Sequence, residues 1–192
     1  MPRKALKKYL ESVAAAKLKY GPKFLVMHQD EGRFGRISIP RSSWAPKPVR
    51  PLVYRQVVRE STYAYSAIAP HEGLLISIIR RKCNTEHMQE FFDHLVASVG
   101  DRHILMFLDG AGWHKAKRLV IPANLTLEFQ PPYTPEVNPV EHLWDHLREK
   151  HFANRIFATL DAVEDQVKTG LEKTAADKPA WITLSCFSWM KW

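Results

Sequence analysis

The stretch "HILMFL", residues 103–108, constrains this chain more than any other. Apart from its leading histidine it is uninterrupted apolar residues, too short for a helix of ordinary length, and it stops at Asp109 and the glycine-bearing "DGAGWH". Such a run reads as a strand inside a covered sheet. Two more runs repeat the pattern: "KFLVMHQ", which ends at Asp30, and "NLTLEF" at 124–129. "TYAYSAIA" and "GLLISIIR", joined by "PHEG", read as a hairpin. Between the strands lie helical patterns. "NTEHMQEFFDHLVASVG" offers Asn84 or Thr85 as cap, places Met88, Phe91, Phe92, Leu95, Val96 and Val99 on one face, and stops at Gly100. Thr159 is placed to cap a last helix carrying Leu160, Val163, Val167 and Leu171. Strand, hairpin, helix, strand, short helix, strand, helix is the order of an α/β fold, a mixed five-stranded sheet flanked by helices. Ligands of such sheets gather at the carboxyl ends of the strands.

Composition narrows the class. At 192 residues and 45% hydrophobic, the chain can bury one sizeable core. Its apolar runs are far shorter than a membrane span, and no signal-peptide core follows the lysine-rich opening, so the expectation is a soluble, cytoplasmic, nucleoid-associated protein with no membrane partner. Cys83 and Cys186 are too few for a disulfide framework and read as free thiols. The net charge is +8, and half of the 28 basic residues fall in two short segments. Residues 1–23 carry seven of them, including Arg3 and Lys4, with Leu6, Tyr9, Leu10, Val13 and Ala14 at helical spacing between them. Residues 32–59 carry Arg33, Arg36, Arg41, Lys47, Arg50, Arg55 and Arg59 with no acid, and add Trp44 and Tyr54. Cations interleaved with aromatics suit a nucleic acid, although either segment alone equally suits a solvated basic face. The four prolines of "RISIPRSSWAPKPVRP" make this second segment an excursion or clamp rather than a regular element.

The acids carry the chemistry. Asp30 and Asp109 each close an apolar strand, where a side chain can leave the core for a crevice; each alone is equally a turn former. Alternation sends Glu31 to the other face, which argues against a role beside Asp30. In "PPYTPEVNPVEHLWDHL" the prolines start a helix whose buried stripe is Val140, Leu143, Trp144 and Leu147, with Glu141 on an adjoining face in its first turn and Asp145 as a reserve carboxylate. The spacing of Asn138 and Glu141 also fits a capping box, in which Glu141 would be spent on the helix end. Three converging carboxylates need a cation, and hard oxygen ligands select Mg²⁺ or Mn²⁺. Two such ions support in-line phosphoryl transfer. His142 and His146 share a helix face, but "HLWDH" lacks a third ligand for zinc. Arg33, near Asp30, can orient that carboxylate or hold a phosphate.

"HQDEGRFG", "LDGAGWHKAK" and "PPYTPEVNPVEHLW" resemble the three signature blocks of bacterial insertion-sequence transposases of the Tc/mariner superfamily, over about residues 20–160. The resemblance implies an RNase H-like, integrase-like DDE endonuclease domain whose catalytic and metal-binding triad falls on Asp30, Asp109 and Glu141. The 31 residues between the last two suit the short final segment of that family. It implies an enzyme that uses two Mg²⁺ or Mn²⁺ ions to cut transposon ends and join them to target DNA, usually at TA, as a homodimer on DNA. DNA contacts are expected at Arg33, Arg36, Arg41, Trp44, Lys47, Arg50, His114, Lys115 and Lys117, although His114 equally suits contact with groups behind the acids, a helix cap or packing. The corresponding organisation is a basic helical arm or linker at 1–20, a catalytic domain at 21–158 with a clamp or insertion at 31–60, and a C-terminal helix and aromatic tail at 159–192 packing on it. Because the first acid comes by residue 30, the chain reads as the downstream half of a split or truncated transposase, with a separately encoded helix-turn-helix half as partner.

Overall fold

The computed structural model describes the backbone of residues 3–132 and 134–190 and, within these, the side chains from Leu6 onward. The Arg3 and Lys4 side chains of the basic opening, Tyr133, and Lys191 and Trp192 of the aromatic tail lie outside the described residues. The elements run α1 (Arg3–Tyr20), β1 (Phe24–Ile37), β2 (Val57–Ala69), β3 (Leu74–Arg80), α2 (Thr85–Val99), β4 (His103–Leu108), β5 (Leu125–Phe129), α3 (Val140–Leu147), α4 (Leu160–Ala176) and α5 (Lys178–Ser185). They form an α/β domain around one mixed five-stranded sheet of order β3-β2-β1-β4-β5. β1, β2 and β3 are antiparallel, whereas β4 and β5 run parallel to β1.

The two faces of the sheet are covered differently. On one, Leu25 and Met27 of β1 join Ile104, Met106 and Leu108 of β4 under Met88, Phe91, Phe92 and Leu95 of α2. α2 starts and stops as its sequence demands: the Asn84 side chain accepts from the His87 N–H, and Gly100 takes the left-handed φ of 68° that closes the helix. On the other face, alternate β1 residues meet two separate covers. Val26, with Leu105 and Phe107, packs under Tyr9, Val13 and Ala16 of α1. Ala14, which the periodicity assigns to that stripe, is exposed, because the buried positions follow an i, i+4, i+7 phase that selects Ala16. Further along, Phe34 packs with Leu143, Trp144 and Leu147 of α3, Val163 and Val167 of α4 and Trp181 of α5. Full burial of each large apolar side chain is worth about 1.5–3 kcal/mol.

Gly32 is required here. A Cβ at that position would lie 2.6 Å from the Trp144 ring, so only glycine lets the indole lie on β1.

β1 is longer than its apolar run. It does not end at Asp30 but continues to Ile37, paired with β2 from His28↔Ile68 to Ile37↔Val57. Residues 31–37 and 57–60, assigned by sequence to the clamp, are therefore strand, and the irregular excursion is 38–56. The polar residues that follow Asp30 are tolerated because the pairing of β1 with β4 stops at His28↔Phe107, leaving that edge open. The base of the excursion is pinned. Gln56 and Ser38 bond each other, Gln56 also bridges to the Phe157 backbone, and Ile39 bridges to Ala153. Its outer part exposes Trp44, Leu52 and Tyr54. No helix among the described residues is long and apolar enough to cross a membrane.

Candidate active site

A crevice of about 530 Å³ opens where β4 ends and β1 continues without it. Asp30 of β1, Asp109 just beyond β4 and Glu141 in the first turn of α3 all line it, together with Lys115, Gln130 and Asn138. The Lys115 ammonium lies over the Phe129 ring at 5.0 Å and close to Gly110, which sets a cation beside the acids. Among the described residues no three His, Cys, Asp or Glu side chains gather tightly enough to cage an ion. The three acids line a space rather than closing on a point.

Each aspartate is held by a nitrogen donor from a neighbouring element. Asp30 Oδ2 accepts from the Trp144 indole N–H at 2.9 Å. Burial, then the charge of Glu31, pushes the Asp30 carboxyl up to about 7, with the Trp144 hydrogen bond working in the opposite direction. Asp109 is far more open, its side chain 58% exposed, and Oδ1 accepts from the Ala111 N–H at 3.0 Å and faces His114 Nδ1 at 2.8 Å. The hydrogen bond from His114 holds Asp109 below the usual carboxylate range. Glu141 is raised by burial.

The helix start resolves the capping-box alternative. Asn138 is buried; its side-chain amide donates to the Gln29 carbonyl at 3.0 Å, and its Oδ1 accepts from the Val140 N–H at 3.2 Å. The Asn138 backbone N–H, which a capping box would offer to Glu141, donates instead to the Pro135 carbonyl at 2.9 Å. Asn138 thus ties α3 to β1 one residue before Asp30, and the Glu141 carboxylate is not spent on the helix end. Asp145 lies outside the crevice lining, exposed and 3.7 Å from the Arg148 guanidinium.

The expected DNA contacts divide. Arg33, Arg41, Trp44, Lys47, Arg50, Lys115 and Lys117 are exposed. Arg36 is instead a structural tie: it bonds Glu60 at 2.7 Å and the Phe157 and Ala158 carbonyls at 3.0 and 2.6 Å, satisfying backbone groups at the root of the excursion. His114 has a side chain with no exposed surface, so it cannot touch DNA. Burial disfavours its charged form, yet its hydrogen bonds to Asp109 and Glu31 outweigh that and hold it up at about 9. His142 bonds the Leu184 carbonyl at 2.7 Å and meets Phe187 edge-on, which accounts for it without zinc. Cys83 and Cys186 are free thiols.

Two participants escape a reading of the sequence. Trp144 falls in the helix stripe and looks like core, although a buried indole N–H needs an acceptor and so points outside the stripe. Glu31 does face away from Asp30, as alternation requires, but on that face Oε1 lies 2.9 Å from His114 Nε2. Nothing local to "QDEG" signals this contact.

The DDE superfamily endonuclease family matches residues 25–164, nearly three quarters of the chain and all three acids. A relative described as the uncharacterized protein y4pE/y4sA of Sinorhizobium fredii (strain NBRC 101917 / NGR234) is 40% identical over 102 residues, 53% of this chain and 76% of that protein. Among solved structures, the catalytic domain of Mos1 mariner transposase superposes with a TM-score of 0.55 at 10% identity, covering 95% of this chain and 92% of that one. The pre-cleavage Mos1 transpososome gives 0.62 at 12% identity, covering 98% of this chain and 62% of that one. The Mos1 strand transfer complex gives 0.61 at 11%, with 98% and 60% covered. At these identities the likeness is one of fold. The chain spans under two thirds of the length of the transposase chains in those two complexes.

Proposed function

Because the chain belongs to the DDE superfamily endonuclease family, we propose that its crevice performs divalent-metal-dependent phosphoryl transfer on DNA, cutting at a transposon end and joining the freed 3′-end to a target strand, as the catalytic domain of a Tc/mariner-type transposase. The observation that carries this reading is that Asp30, Asp109 and Glu141, from three separate elements, line one crevice at the end of β4 with Lys115 beside them. The oxygen-only donor set fits Mg²⁺ or Mn²⁺. Mg²⁺ is commonly held by one or two carboxylates and completed by water and substrate phosphate, so the lack of a closed cage suits it. The raised Asp30 carboxyl fits as well, since a site of crowded acids is relieved by a cation. Two solved Mos1 mariner paired-end complexes are described as complexes with Mn and with Mg respectively.

In this reading Asp30, Asp109 and Glu141 hold two ions. Bound there, the cations would supply Lewis-acid activation of water or a 3′-hydroxyl and neutralise charge on the leaving oxygen. The protein's own contribution is placement. Trp144 holds Asp30 by one oxygen, His114 and the Ala111 N–H hold Asp109 by one oxygen, and the Asn138 tie sets where Glu141 enters. Lys115 neutralises a scissile phosphate in the crevice, and the exposed cations of the 38–56 excursion, Arg41, Lys47 and Arg50, track the backbone beyond it. A second copy of the chain would act on the paired end.

The test is a strand-transfer assay on labelled end oligonucleotides with Mg²⁺ or Mn²⁺, comparing the chain with its Asp109→Asn form. Metal-dependent joined product, lost in the variant, is expected. Cleavage without joining would make the chain a nuclease of this fold, and metal-independent binding with no product would reduce it to a DNA-binding remnant.

A further inference from the structure

Glu31 is a nearly buried acid, its side chain 6% exposed, that neither the core nor the proposed phosphoryl transfer requires. One oxygen, Oε1, gathers three donors: Gln29 Nε2 at 2.9 Å, Trp113 Nε1 at 3.3 Å and His114 Nε2 at 2.9 Å. Burying a carboxylate costs several kcal/mol before its partners repay it, and an apolar side chain of similar volume would fill the space at no such cost. The acid therefore has work to do at this position. Its most consequential partner is His114, whose other nitrogen faces Asp109 Oδ1 at 2.8 Å. With Nε2 committed to Glu31, the imidazole has one ring orientation in which Nδ1 meets Asp109. Asp109 itself stands on an exposed turn, where little else fixes its rotamer. The Ala111 N–H and His114 both meet Oδ1, His114 Nδ1 also lying 3.1 Å from the Asp109 carbonyl, and among the described residues no hydrogen bond engages Oδ2.

We propose that Glu31 is a positioning residue for Asp109, acting through His114, so that the chain's affinity for a divalent cation depends on a buried acid on the face of β1 opposite Asp30. The proposal rests on the metal-binding role given to Asp109 above. It splits the Asp109 carboxylate into a held oxygen and a presented one, and ordering that carboxylate in advance removes the rotamer entropy a cation would otherwise have to overcome.

The test is Mn²⁺ binding to the full chain without DNA, followed by calorimetry, for the unchanged protein, Glu31→Gln, His114→Phe and the double variant. Glutamine preserves volume and a carbonyl acceptor, and phenylalanine preserves ring volume without nitrogen, so circular dichroism should show both folded; His114→Asn, smaller and still able to donate, replaces His114→Phe if that variant does not fold and should then bind closer to the unchanged chain. His114→Phe should weaken Mn²⁺ binding about 10–100-fold and Glu31→Gln by a smaller factor, on the scale seen when partners of metal ligands are removed. The double variant should match His114→Phe alone. A through-space charge effect of Glu31 would persist in the double variant, so additive losses would overturn the proposal. So would folded single variants that bind Mn²⁺ like the unchanged chain, or an unchanged chain that binds none. Mn²⁺ binding with the expected pattern but no DNA cleavage would uphold this inference and sink the proposed function alone.

Discussion

Asp30, on β1, and Asp109, just beyond the end of the adjacent parallel strand β4, line the same crevice, yet the protein treats them in opposite ways. Asp30 is on a strand, bonded to the Trp144 indole of α3, and its carboxyl is pushed up to about 7 by burial and neighbouring acids. Asp109 is on an exposed turn, and a histidine holds it in its ionised form. One acid is made reluctant to ionise and the other eager. The difference teaches that two acids lining one crevice can be given opposite proton affinities by their own surroundings, burial raising one and a histidine donor lowering the other.

The largest expected effect tests whether the two acids are equal in chemistry despite this. Asp30→Asn, Asp109→Asn and Glu141→Gln should each lower metal-dependent cleavage by at least about 10³-fold, read on labelled oligonucleotides. An Asp30→Asn enzyme that still cuts would make the comparison one of structure only.

Stability should separate them by sign. The Asp30 pKa is raised on folding, so its favourable contribution is present below about pH 4 and is lost as pH rises through about 7. In metal-free buffer, Asp30→Asn should therefore stabilise the chain at pH 8, by up to about 4 kcal/mol on a three-unit shift, with the gain vanishing near pH 4. Asp109 is depressed, so its contribution is present above the unfolded carboxylate pKa and lost in acid; Asp109→Asn should destabilise at pH 8. Thermal melts of both variants at the two pH values check this, and like signs would break the contrast.

Next comes the donor on the Asp30 side. Trp144→Phe keeps most of the ring but removes the N–H, and it should cost about tenfold in cleavage with about 1–2 kcal/mol of stability, measured by kinetics and urea melts. Smaller still is a change remote from both acids. Trp44→Ala, at the fully exposed part of the excursion, should move stability by less than about 0.5 kcal/mol while weakening DNA binding a few-fold in a gel-shift assay.

Much of this architecture was legible because the signals were local. The apolar run at 103–108, the Asn84 and Thr159 caps and the α3 stripe each lie within a few residues of what they specify, and each appears where expected. The end of β1 was not legible, because "EGRFGRI" lacks an apolar run; its strand state comes from pairing with β2 and from the indole resting on Gly32. The tie made by Arg36, and the choice for His114 of buried contact over DNA, were not legible for a related reason. A cation in a basic segment and a histidine after a strand look solvent-facing until the 153–158 segment and Glu31 fold against them.

By itself the sequence determined the strand and helix periods, the positions of three acids and the punctuation that starts α3, because these depend on neighbours along the chain. Only the tertiary structure decided that Trp144 would reach Asp30 across 114 residues, that Asn138 would bond Gln29 rather than complete a capping box, and that Glu31 would meet Asp109 through His114. Hydrogen bonds between distant segments depend on which faces the packing brings within about 3 Å, and that distance is set by the whole fold rather than by any stretch of it.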